Sequence, residues 1–224
     1  MLFRSSLSVR AFLPAALGSS VDPKADLQRS YDLIERAIAA EPDFGDAHSV
    51  KGSVLWAQGR FDEAIVECEA ALALDPTIAY AYQTMANAYR LKGQFEKSLE
   101  LVDKAILISP RDRDIAWWYQ TKSLAYFALK DYDKAIDWAQ RAIVANPNIA
   151  ASYSVLAPAL ALSGRDTEAR EAIERYHTLP YSRLTIAGAK VLKAMNTNEQ
   201  TDPRAVDLWD RFIDGLRKAG LQEK

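Results

Sequence analysis

Two histidines, His48 and His177, and one cysteine, Cys68, are the side chains best suited to hold a metal or attack a substrate. A metal needs several ligands converging, and neither histidine has a cysteine, a second histidine or paired carboxylates at ligand spacing. His48 falls where two helices meet, so a core or boundary histidine is expected. A reactive thiolate needs a cationic or helix N-terminal setting, whereas Cys68 stands mid-segment between Glu67 and Glu69 and reads as a small hydrophobe. Acidic pairs such as Asp62-Glu63 fall where second helices begin, and the helix dipole favours negative charge there. There is no glycine-rich phosphate loop, nucleophile elbow or HExxH motif. A non-catalytic protein without cofactor or metal is expected.

Whole-chain properties narrow the partners. Of 224 residues, 28 are basic and 30 acidic, and this balance argues against nucleic acid or an anionic membrane as the main partner. A single cysteine cannot form an intramolecular disulfide, which fits a reducing, cytoplasmic setting. No stretch approaches the roughly 18–20 apolar residues of a membrane span. Residues 1–23 read as an irregular N-terminal segment, a first helix followed by a Gly-Ser loop. The composition of residues 1–22, with Arg4 and Arg10 and no acid before Asp22, also resembles some targeting peptides.

The elements that would position a site repeat along the chain. FDEAIVECEAALALDP at 61–76 returns as FEKSLELVDKAILISP at 95–110. Prolines close successive helical segments at Pro42, Pro76, Pro110 and Pro147, since proline cannot continue the helical hydrogen-bond ladder. Between them each unit holds two helical patterns split by a short turn, as at Gly59-Arg60 and Gly93-Gln94. Small residues recur where paired helices must cross closely: Gly52, Ala86, Ser123 and Ala157 in the first helices, Ala64, Ser98, Ala135 and Ala169 in the second. Large residues recur beside them, at Tyr82, Tyr119 and Tyr153, and at Phe61, Phe95 and Tyr132.

These positions, the period, the turn and the closing proline resemble the tetratricopeptide repeat across residues 24–180. A half repeat (24–44) precedes full repeats at 45–78, 79–115, 116–149 and 150–180. The resemblance implies an all-α fold, a right-handed superhelical solenoid of helix-turn-helix repeats closed by C-terminal capping helices at 181–224. Lys51 and Lys122 depart from the pattern, standing where leucine is usual, and His48 replaces an aromatic. Pro158 falls inside a first helix, where it removes a backbone hydrogen bond and predicts a kink. The final helix, PRAVDLWDRFIDGLRKAG, gathers Val206, Trp209, Phe212, Ile213 and Leu216 on one face, which is expected to lie on the exposed end of the stack.

A narrower resemblance rests on SPRDRDIAWWY, LAYFALKDYDKAIDWAQRAIVANPN and FIDGLRKAGL. Over residues 42–221 these look like the C-terminal repeat module of bacterial class III adenylate cyclases and related regulators. No segment resembles the cyclase catalytic domain, so only a regulatory association is implied.

In this repeat family the first helices line the concave side, which carries a groove over residue by residue. The positions are Asp46, Ser49, Ser53 and Trp56, then Tyr80, Gln83, Asn87 and Arg90, then Trp117, Gln120 and Phe127. Rings supply buried area and amides pair with an extended backbone, so a peptide or protein partner is implied. Some relatives hold chaperone tails with lysine and asparagine at set groove positions. Ser49, Ser53 and Trp117 stand there instead, which disfavours that ligand. Arg90 is the groove cation available to an acidic ligand. A self-association module, with the groove taking the N-terminal segment or a second copy, is the remaining alternative.

Overall fold

The computed structural model describes residues 22–180, 182–197 and 201–224. The readings of residues 1–21 as a targeting or irregular segment lie outside the described residues. Eleven helices are described: α1 (Pro23–Ala40), α2 (Gly45–Ala57), α3 (Phe61–Leu74), α4 (Ala79–Leu91), α5 (Phe95–Ile108), α6 (Ile115–Ala128), α7 (Tyr132–Ala145), α8 (Ala150–Leu162), α9 (Asp166–His177), α10 (Ile186–Asn196) and α11 (Pro203–Lys218). The fold class is the expected all-α one. No described helix is long and apolar enough to cross a membrane.

Local chemistry sets these boundaries. The Asp22 carboxylate accepts from the Ala25 N–H and Pro23 opens the first turn of α1, while Asp131 and Thr185 cap α7 and α10 in the same way. After four first helices the chain turns through the left-handed region, at Gly59, Gly93, Gly164 and Lys130. Lys130 is the exception to glycine, and its side chain costs about 1 kcal/mol there.

The chain divides into two compact units. One runs to Ala88 and includes Asp103–Ser109; the other comprises Tyr89–Val102 and Pro110–Lys224, so the division passes through α4 and α5. In the first unit, Ile34, Ala37 and Ala47 join α1 to α2. A Cβ added at Gly52 would stand 2.5 Å from Cys68 Sγ and 3.1 Å from the Ala64 carbonyl, so α2 and α3 cross at a spacing that only glycine allows.

In the second unit, α6 pairs with α7 and α8 with α9. The hydroxyl of Ser123, buried at the α6–α7 crossing, donates to the Ala135 carbonyl at 2.7 Å. Helix α8 runs from Ala150 to Leu162 with Pro158 inside it.

Helix α11 lies on the last repeat, as a cap is expected to, and continues beyond it: its apolar face packs on α8 and α10 and reaches α6. Gly93 in the α4–α5 turn meets its capping residue Asp202, and Arg204 donates to Glu96 at 2.7 Å. Further along, Arg211 donates to the carbonyls of Phe127 and Ala128, both at 2.8 Å, satisfying the C-terminal end of α6. Phe212 meets Phe127 edge to face at 6.0 Å. Gly215 then lies on Pro158, where an added Cβ would come within 2.6 Å of its Cβ and 2.9 Å of its Cα and carbonyl oxygen. The chain end returns to α10, whose first N–H groups, from Ile186 and Ala187, donate to the carbonyls of Gln222 and Glu223.

Gly215→Ala is therefore expected to destabilise the protein by about 1–3 kcal/mol, since Pro158 has no rotamer by which to withdraw. Urea unfolding followed by circular dichroism measures it; a midpoint equal to wild type contradicts the close approach.

Candidate functional site

The first helices carry the expected groove residues, and burial divides them. Tyr80 is 42% and Trp117 38% exposed, and among the described residues these are the exposed aromatic side chains. Each is the second residue of its repeat, one place after Ala79 or Ala116. Asp46, the corresponding residue of the preceding repeat, is also exposed. Ser53, Trp56, Asn87, Arg90 and Gln120 are half-buried.

Three of the expected groove residues are interior. Ser49 is 4% and Gln83 7% exposed, packed within the first unit, and the Ser49 carbonyl accepts from Ser53 Oγ at 3.2 Å. Ser53 also shares a 2.9 Å hydrogen bond with Thr84, a residue of α4 that the sequence reading passed over. Phe127 is fully buried because α11 covers it with Phe212 and with the Arg211 guanidinium, 5.5 Å from its ring centre. A partner does not reach it in this arrangement.

Among the buried polar atoms of the first helices are one of Trp56 and one of Arg90. Trp56 Nε1, on α2, is sealed from solvent and has no acceptor among the described residues. Arg90, in the last turn of α4, has its Nε sealed in the same way, and no hydrogen-bond or charge partner for it occurs among the described residues. Burial alone lowers its pKa to about 10. The negative end of the α4 dipole offers a cation roughly 0.3–1 kcal/mol.

Cys68 and His48 have structural surroundings, while His177, the last residue of α9, is exposed. No group of three or more His, Cys, Asp or Glu side chains suited to a metal occurs among the described residues. The Cys68 thiol is buried, and desolvation with the Glu67 and Glu69 charges pushes its pKa up to about 12, away from reactivity. His48 turns Nδ1 to Glu67 at 2.8 Å and Nε2 to the Pro42 carbonyl at 3.1 Å.

Tetratricopeptide repeat family models match residues 77–143 and, for a second model, residues 25–77 and 121–182, the latter covering just over half of the chain. The chain belongs to the tetratricopeptide repeat family. Solved structures share the fold: the type IV pilus biogenesis factor PilW superposes with a TM-score of 0.67 at 17% identity over 95% of this chain and 96% of its own. The thermophilic repeat protein TTC0263 of Thermus thermophilus gives 0.62 at 21% over 95% and 99%. YrrB, described as a repeat protein with an unusual peptide-binding site, gives 0.55 at 18% over 82% and 92%. A curated relative, the TPR repeat-containing thioredoxin TTL4 of Arabidopsis thaliana, is 32% identical over 81 residues, 36% of this chain. The match takes in 12% of that relative's length.

Within the tetratricopeptide pattern, the two lysines in place of leucine are explained by what faces them. Lys51 Nζ lies 2.7 Å from Glu67 and 2.5 Å from Glu35, with the Tyr31 ring beneath it. Lys122, buried at the equivalent position, puts its Nζ 3.9 Å from the centre of the Trp138 ring. Glu67 and Trp138 each stand sixteen residues after their lysine, so one joint of the repeat is filled twice by different chemistry.

The Lys51 network has a definite pH response. Burial alone would raise the Glu67 carboxyl, but hydrogen bonds from Lys51 and His48 outweigh it and hold the group below its ordinary range. Burial likewise opposes the Lys51 charge, and Glu35 and Glu67 more than restore it, leaving that pKa raised. Stability from Glu67 is thus present above its unfolded pKa of about 4.3 and lost as pH falls through the lower folded value. Stability from Lys51 is present below about 10.4 and lost as pH rises beyond it. Glu67→Gln should cost about 1–2 kcal/mol at neutral pH and flatten the acid limb of a plot of Tm against pH. An acid limb as steep as that of wild type would disprove the assignment.

Proposed function

We propose that this chain is a non-catalytic scaffold that binds a peptide or protein partner on its first helices, in the concave groove such repeats form. The observation that carries the reading is the exposure of Tyr80 and Trp117 at one register position of two repeats. Neither hairpin core needs an open ring there, and aromatic side chains at the surface are the residues that dominate partner binding. Asp46, Ser53 and Asn87 on first helices of the first unit, and Gln120 on a first helix of the second, are the accessible polar residues of the expected set. YrrB, similar in fold, is described as having a peptide-binding site, which agrees with this use of the fold. The near-balanced charge makes nucleic acid and membrane surfaces poor partners, and the buried lone Cys68 suits a reducing cytoplasm.

A second reading makes the chain the regulatory tail of a bacterial adenylate cyclase or transcription regulator. It rests on the resemblance over residues 42–221, whose terminal stretch supplies Phe212, Gly215 and Leu216 to the packing face of α11. Association with a separate catalytic chain would support it, as a shift in mass on mixing would support self-association.

Tyr80→Ala with Trp117→Ala should lower partner recovery in quantitative affinity capture from native extract by about tenfold or more. Val66→Ala with Val144→Ala, which trims exposed aliphatic side chains of second helices, should leave it unchanged. Equal recovery by the two double variants would refute the groove.

A further inference from the structure

At one edge of the first unit, the loop between α1 and α2 packs against the end of α3 and the turn that leads into α4. A Cβ added at Gly45 would meet Ile78 Cδ1 at 3.0 Å, the Ala71 carbonyl at 3.2 Å and Leu74 Cβ at 3.4 Å. Leu74 is as exposed as Tyr80, which follows two residues after the half-buried Ile78. Apolar area is thus open to solvent beside a loop whose own residues are acidic. Asp43 and Asp46 stand on either side of Gly45, Asp75 follows Leu74, and all three are exposed. We infer that this edge docks a basic segment of a partner protein, one in which lysine or arginine stands beside apolar side chains. The inference rests on the groove reading above, through Asp46 and Tyr80, and specifies the charge of what binds.

Charge decides the class of occupant. Residues 41–80 hold eight acidic and two basic side chains, and both bases already face glutamates, Lys51 with Glu35 and Glu67 and Arg60 with Glu63. Asp43 and Asp46 have no cationic partner among the described residues. The hydroxyl and the N–H of Thr77 donate to Asp75 at 2.6 and 2.8 Å and hold its carboxyl below the usual range, so it stays ionised. An acidic segment would be repelled here, and an uncharged one would cover Leu74 and Tyr80 but leave the carboxylates without counterparts. A basic segment meets both, its apolar side chains covering the open area and its cations reaching the carboxylates around it. Charges at the rim of an apolar contact steer the encounter and fix its register.

The test presents the full-length chain with bead-displayed random short peptides. Wild type should enrich peptides that carry lysine or arginine next to apolar residues, and raising the ionic strength to about 1 M, where the Debye length shrinks to about 3 Å, should weaken their binding. Asp43→Asn with Asp46→Asn should weaken it about three- to tenfold. Asp62→Asn with Glu69→Gln, which removes the same charge from exposed positions of α3, should leave it unchanged. Asp43→Lys with Asp46→Lys should enrich acidic peptides instead, an outcome that misfolding does not produce. Binding by the Asp43–Asp46 asparagine variant equal to that of wild type, or equal losses in both neutralised variants, overturns the inference. Selection of peptides without basic preference, weakened by Tyr80→Ala, overturns the basic partner and leaves the groove standing. Absence of any selected peptide, or selection that neither Tyr80→Ala nor the aspartate variants alter, overturns both.

Discussion

The architecture depends on how closely helix axes are allowed to approach, and that distance is set by atoms that are missing. At Gly52 a methyl group has no room beside the Cys68 sulfur, and at Gly215 it has none beside the Pro158 ring. Ala64, Ala135, Ala157 and Ala169, all fully buried, keep the other crossings close. Larger neighbours then interlock around these contacts: Phe95, Phe127, Tyr153, Ile173 and Leu216 belong to one continuous core of the second unit. Neither helix of a pair covers its own apolar face, so the pairing is what makes each helix stable.

Much of this was legible because the signals are local and periodic. A proline after each pair, a turn residue with permissive dihedrals and a small residue at each crossing each act within a few residues, and they agree with one another. The third turn broke the pattern, with Lys130 in place of glycine, and the hairpin formed regardless because packing outweighs about 1 kcal/mol of backbone cost. What the pattern did not disclose was long-range. The apolar stripe of α11 announced that the helix must be covered, but periodicity carries no address, and an end cap and a crossing over α6 and α8 require the same stripe.

The same limit explains the candidate site. Register placed Tyr80 and Trp117 on the open part of their helices, and both are exposed. Register also put Phe127 on that stripe, and only the three-dimensional course of α11 removed it from solvent. Ser49 and Gln83 are polar residues in the interior, where a hydrogen-bonding group fits if partners are provided, so polarity alone misreports their exposure. Lys51 and Lys122 looked like faults in the repeat until Glu67 and Trp138 were seen opposite them. The compensation was already present in the sequence, at a fixed interval, and became readable once the pairing of the helices was known.

The course of α11 changes the physics of the unit it crosses. Repeat arrays are ordinarily one-dimensional, each hairpin touching only its neighbours, so that they fray from an end and lengthen by copying a unit. Here a single rod ties the turn at Gly93, the end of α6 and the middle of α8 to one another, and the chain end in turn clasps α10. Those hairpins then cannot melt singly, and their cooperativity resembles that of a globular domain. An extra repeat inserted between α6 and α8 would pull Phe127 and Pro158 off the register of Phe212 and Gly215. The rod thereby acts as a ruler that fixes how many hairpins lie between the Gly93 turn and α8.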